Sequence, residues 1–197
     1  MHGNCWASGS RPAESGPTTQ GAVVSEVPAS PAGPAWPEGR FAGRAAFRDV
    51  LVEGMACSAR AGSRTLWLCD PDFAAWPLGE RRLIEALDAW SLSTRSSPVA
   101  QLRLLGQSYG DMRLRHGRFV AWRSMWAHRV QVRVPASDVE ALPSVLWTPE
   151  WVLQRVDAER DTVVATCESV ERTRVSEMLH GWWQTARPAF PDTPLGL

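Results

Sequence analysis

Thr65-Leu66-Trp67-Leu68-Cys69-Asp70-Pro71-Asp72 is the stretch that decides the fold class. Five residues, four of them apolar, run without a break and then stop at a proline, which has no N–H to give to a sheet ladder. The spacing predicts a buried strand over 65–69, with two carboxylates in the loop at its C-terminal end. Downstream, Leu83, Leu87 and Trp90 recur at helical spacing and predict a helix over 80–92. Ser96-Ser97-Pro98 is a turn, and Gln101 to Leu105 reads as a second strand closed by Gly106. Strand, helix and strand in that order call for parallel pairing through a right-handed crossover.

The same reading extends outward on both sides. Upstream, Phe47, Val50, Leu51 and Met55 predict a helix over about 42–60, ended by Gly62. Downstream, Met112, Phe119, Trp122 and Trp126 line an imperfect helix over 109–128, which Gly117 breaks or restarts at a cost of about 1 kcal/mol. Val130-Gln131-Val132-Arg133-Val134 alternates as a half-buried strand. Further strands are expected at 144–147, 151–156 and 162–167, close enough to pair as hairpins. A last helix starts near Ser169, carries Val175, Met178, Leu179, Trp182, Trp183 and Ala186, and ends before Pro188 and Pro191. The expected fold is α/β: a mixed, mostly parallel sheet of about six strands flanked by helices.

Residues 1–40 hold six prolines among Ala, Ser and Gly with no apolar period, so a disordered tail is expected there. A single domain is expected over 41–191, and a short tail over 192–197. Nothing approaches the ~18 apolar residues of a membrane span. The N-terminus has neither a basic start nor an apolar run, so no signal peptide is expected. Cys5, Cys57, Cys69 and Cys167 are scattered, without a C-x-x-C. Reduced thiols and a cytoplasmic location follow as expectations.

Formal charge is zero, yet all 21 basic residues are arginine and lysine is absent. That excludes a Schiff base, a phosphate-loop lysine and a Ser–Lys dyad. The charge is uneven. Residues 111–133 carry six arginines against Asp111, and residues 138–171 carry eight acids against Arg155 and Arg160. Two explanations stay open: a basic binding surface, or two segments that neutralise each other within one fold.

Asp70 and Asp72 form a D-x-D after an apolar strand, where open α/β sheets bind ligands. The motif is similar to the opening motif of haloacid-dehalogenase-type phosphatases. That resemblance implies magnesium, Asp70 as nucleophile and Asp72 as general acid/base, with Ser108, Asp157 and Asp161 as weaker matches to its later elements. The chain departs from the family at Ala74, where Thr or Val is usual. The alternative is an ordinary turn in which an aspartate caps the backbone.

A second resemblance covers about 55–190. Residues 65–72, then Phe73-Ala74-Ala75-Trp76-Pro77-Leu78, Leu83-Ile84-Glu85-Ala86-Leu87 and Leu102-Arg103-Leu104-Leu105 are similar in order and pattern to a phospholipase-D-like half-domain. The closing strands and the Trp182-Trp183 helix agree in layout. The family's chemistry uses His-x-Lys at a late strand, and Leu142-Pro143-Ser144-Val145-Leu146-Trp147 has neither residue. The resemblance therefore implies the fold, a degenerate site without the phosphodiesterase reaction, binding of a phosphate-containing ligand such as nucleic acid or a nucleotide or of a partner protein, and a homodimer.

The residues offered for such binding are Arg115, Arg118, Arg123, Trp122 and Trp126, besides Asp70 and Asp72: arginine for phosphate, tryptophan for stacked bases. The competing reading buries the tryptophans and pairs Arg115 and Arg123 with the D-x-D carboxylates. His2, His116, His128 and His180 are isolated and show no metal-ligand spacing. His116 is expected at the surface or an interface, and Trp36 is read as incidental.

Overall fold

A computed structural model describes residues 35–136 and 142–189. The expected tails at 1–34 and 192–197 lie outside the described residues, as do Asp138 and Glu140 of the acidic segment. The elements run β1 (Gly39–Phe41), α1 (Arg44–Ala61), β2 (Thr65–Cys69), α2 (Arg81–Ser93), β3 (Gln101–Leu105), α3 (Gly110–Arg115), α4 (Gly117–Met125), β4 (Val130–Val134), β5 (Ser144–Trp147), β6 (Val152–Asp157), β7 (Thr162–Thr166), α5 (Ser169–Thr185) and β8 (Arg187–Pro188). A 3-10 turn, Ala127–Arg129, leads into β4.

One sheet holds eight strands in the order β1-β7-β6-β5-β2-β3-β4-β8. Only β2–β3 and β3–β4 are parallel; the other neighbours are antiparallel. This corrects the expectation of a mostly parallel sheet of about six strands. The helix-linked strands are parallel, as their crossovers require. The β5–β6–β7 meander and two short edge strands then outnumber them. β1 and β8 are three and two residues long, too short to show a period of their own. Gly39 and Arg40 of β1 also lie in the stretch read as tail. Trp36 there stacks on Trp151 with centroids 5.7 Å apart, so it is a packing residue rather than an incidental one.

Strand alternation divides the interior into two layers. Leu66, Leu68, Leu102, Leu104, Val130, Val132, Leu146, Leu153 and Val163 face α1, α2 and α4. Trp67, Cys69, Leu105, Val145, Trp147 and Val152 face α5 through Val175, Leu179 and Trp183. Tryptophan supplies bulk and also ties chain segments together. The indole N–H of Trp90 donates to Ser63 O (2.6 Å), that of Trp151 to Pro37 O (2.7 Å) and that of Trp147 to Arg172 O (2.8 Å).

Two glycines fit their positions for different reasons. Gly62 takes φ +65° and closes α1, its own N–H bonding Ala59 O while Ser63 N–H bonds Ser58 O. Gly54 lets α1 lie on the Trp151 ring; a Cβ there would stand 2.4 Å from it. The single helix expected over 109–128 is two, broken at His116 and Gly117, where the sequence marked a breaker. No described helix is long and apolar enough to cross a membrane.

Candidate functional site

The loop after β2 is a cap built around Asp70. Its Oδ1 accepts the backbone N–H of Asp72 (3.1 Å) and of Phe73 (2.7 Å), and its Oδ2 accepts Trp76 Nε1 (2.8 Å). Asp70 is 3% exposed. These bonds hold Phe73 at φ +59°, a costly conformation for a bulky residue. The Phe73 ring in return is fully buried, stacked on Tyr109 and edge-on to Trp76. Asp72 is exposed, and its Oδ1 accepts Ala74 N–H (2.8 Å).

Both Asp70 oxygens and Asp72 Oδ1 are therefore taken by backbone and indole donors. A magnesium ion would need those lone pairs, so the residues present do not fit that group. Among the described residues, no group of three or more His, Cys, Asp or Glu comes together for a metal. The weaker matches are also engaged. Asp157 Oδ1 caps the β6–β7 turn at Glu159 and Arg160, and Asp161 pairs with Arg155 and, at 3.7 Å, with Arg44. Burial, with Asp70 adjacent, pushes the Cys69 thiol far up, so it is no nucleophile at neutral pH. Burial likewise pushes up the Tyr109 phenol, which donates to Arg133 O (2.7 Å).

The basic aromatic residues scatter. Trp122 is 1% and Arg123 4% exposed, so neither can stack a base or meet a phosphate at the surface, and of the two readings left open the buried one holds for them. The helix pair turns that side into the core because Met112, Phe119 and Trp122 pack there. Trp126 is half-buried under the Arg129 guanidinium, 5.6 Å away. His116, expected at the surface or an interface, is buried with Nε2 3.0 Å from Phe73 O. Arg115 does not pair with the D-x-D; it pairs with Asp111 on its own helix (2.9 Å).

Arg115 and Arg118 do come together with residues that sequence spacing did not connect. Helix α1 runs back along β2, so its N-terminus lies at the strand's C-terminal end. There Arg44 and Arg48 of α1, Trp76, Gly79 and Glu80 of the loop, and Arg115 and His116 of the α3–α4 junction line a groove of about 340 Å³. Arg118 Nη1 donates to Gly79 O (3.0 Å) and so borders it.

Three helix ends reach this groove: the first turn of α1 through Arg44, the N-cap of α2 at Glu80 and the N-cap of α4 at His116. None of the three has an acid in its first turn or a side-chain cap. Their unpaired N–H groups and dipoles add positive potential to that of the arginines. The counter-charges are Glu80 on Arg48, Asp111 on Arg115 and Asp161 on Arg44, all involving an exposed arginine. Such pairs are weak and exchange readily for a ligand. Arg44 and Arg48 were not foreseen, because nothing within their own helix marks them apart from a solvated face.

No family model and no curated protein matches the chain in sequence. Solved structures similar in fold include the following two. TrmBL2, an archaeal chromatin protein whose structure shows a novel mode of DNA binding, gives a TM-score of 0.53 at 14% identity over 77% of this chain. The match takes in 52% of TrmBL2, so this chain corresponds to about half of it. NucT from Helicobacter pylori gives 0.50 at 6% identity, over 78% of this chain and 99% of NucT. What they share is the fold.

Proposed function

We propose that this protein binds nucleic acid through the groove between the N-termini of α1, α2 and α4, on a phospholipase-D-like fold that carries no phosphodiesterase centre. The observation that carries this reading is the convergence of Arg44, Arg48, Arg115 and Arg118 on three helix N-termini without an acid in their first turns. Phosphate oxygens match both kinds of donor, and arginine meets them with two parallel N–H groups. The fold's likeness to TrmBL2 and NucT supports a nucleic-acid ligand over a free nucleotide.

The lack of cleavage rests on composition and placement. The chain has no lysine. His116 is buried against Phe73 O, His128 sits beside Arg129, and His180 bonds Ser176 O. No two of these histidines share an element, and Asp70 is occupied as a cap. Fluorescence anisotropy with a labelled oligonucleotide tests the reading. The full chain is expected to bind, and Arg115→Gln with Arg118→Gln to weaken binding by about tenfold or more. Unchanged affinity in that double variant would exclude the groove.

A further inference from the structure

The sheet face that carries α5 is only partly covered by the described residues. α5 lies over β5 and β6, and its C-terminal end packs Trp183 beside Trp67 with ring centroids 5.0 Å apart. Next to it, alternation turns Arg103 of β3 and Arg133 of β4 to the same face, away from Leu102, Leu104, Val130 and Val132. The parallel register pairs Arg103 with Gln131 and Leu105 with Arg133, so the two arginines are diagonal neighbours.

Both guanidiniums lie on indole rings. Arg103 stands 5.0 Å from Trp67 and 5.5 Å from Trp183, and Arg133 stands 4.5 Å from Trp183. These ring contacts do not use the N–H groups as donors to oxygen. Arg103 uses Nε (3.2 Å) and Nη2 (3.1 Å) on Gln101 Oε1. Arg133 uses Nη1 on Trp183 O (2.9 Å). Among the described residues, neither arginine has a carboxylate within ion-pair distance. Arg103 Nη1 and Arg133 Nε and Nη2 have no acceptor there either. Trp67 Nε1, in the same cluster, is buried without an acceptor. Burial, and then the Arg133 charge, lower the Arg103 pKa. Two half-buried cations side by side thus have no counter-charge among the described residues, which is unfavourable until an anion joins them.

We propose that Arg103 and Arg133 form a binding site for a phosphate dianion, either free phosphate or the terminal phosphomonoester of a small molecule. A dianion neutralises both charges where a carboxylate would neutralise one. A tetrahedral group can also take N–H edges from two guanidiniums at once. The indole rings hold the arginines in place beforehand, so little side-chain order is lost on binding. The site is separate from the groove and does not depend on it.

Calorimetric titration of the full chain with inorganic phosphate and with phenyl phosphate, in chloride buffer at constant ionic strength, tests the proposal. Wild type is expected to bind at least one probe. Arg103→Met is expected to weaken binding about tenfold or more, with Arg103→Lys between the two. Binding of both probes would assign the site to phosphate itself; binding of phenyl phosphate alone would assign it to a monoester. Arg103 bonds only Gln101, so the Arg103→Met protein keeps its fold, and it remains the test if Arg133→Met, which loses the bond to Trp183 O, does not. The proposal is overturned if neither probe binds. It is equally overturned if Arg103→Met binds as wild type does, or if binding is lost in the Arg115→Gln, Arg118→Gln protein instead.

Discussion

Arg129 and Arg103 both lie against tryptophan rings, and neither relies on a carboxylate, yet they occupy opposite situations. Arg129, 8% exposed, sits at the C-terminal end of α2. Its Nη1 reaches Ser91 O (3.3 Å) and Thr94 Oγ1 (3.1 Å), its Nη2 Arg95 O (2.9 Å) and its Nε His128 Nε2 (3.3 Å). The helix end supplies carbonyls and the negative pole of its dipole, so four of the five guanidinium N–H groups are used inside the protein. Arg103 sits beside another cation with donors to spare. A buried arginine is thus structural or ligand-binding according to what its N–H groups meet, and the residue type alone does not tell which.

The largest expected effect tests that contrast directly. Arg129→Ala leaves several acceptors at the end of α2 unpaired and should cost about 3 kcal/mol in urea unfolding, whereas Arg103→Met should stay within about 0.5 kcal/mol of wild type. Equal losses in the two variants would collapse the distinction. Asp70 and Asp72 repeat it in carboxylates. Asp70→Asn turns an N–H₂ group toward existing donors and should cost about 2 kcal/mol, while Asp72→Asn should cost less than about 0.5 kcal/mol. Magnesium should raise the melting temperature of neither the wild type nor the variants; a magnesium-dependent rise lost in Asp70→Asn would return the loop to metal chemistry.

The smallest effect belongs to the exposed pair. The Arg174 guanidinium beside Glu171 holds its carboxyl down at about 2, against an ordinary value of 4.5, with a further bond from Gln154. The stability this contributes is complete above pH 4.5 and is lost as the pH falls toward 2. With the Arg174 side chain 56% and the Glu171 side chain 27% exposed, it should amount to less than about 1 kcal/mol. Glu171→Gln should flatten the acid limb of the stability profile by that amount, measured by urea unfolding across this pH range.

Elements with their own period were legible in the sequence. β2 and β3 fall where the apolar runs at 65–69 and 101–105 put them, and Gly62 ends α1 as its position suggested. The edges were not legible, because Gly39–Phe41 and Arg187–Pro188 become strands only by pairing with β7 and β4. The site was legible in part. Arg115 and Arg118 were singled out, but a helical arc does not say which side meets the core, so the sequence left open whether Trp122 and Arg123 face outward, and the structure buries both. Arg44 and Arg48 join them only through the reversal of α1 against β2. The alternating patterns of β3 and β4 put Arg103 and Arg133 on the polar phase of their strands. Only the strand order and register make them neighbours.

The most direct test of the groove is the salt dependence of oligonucleotide binding, with the same mixtures checked for cleavage. Between about 50 mM and about 200 mM salt, affinity should fall along a straight log–log line, and removing Arg115 and Arg118 together should lower its slope by about 1–2, with the oligonucleotide intact throughout. A flat salt response, or a slope that the double variant leaves unchanged, would contradict binding through this groove, and cleavage would contradict the absence of a phosphodiesterase centre.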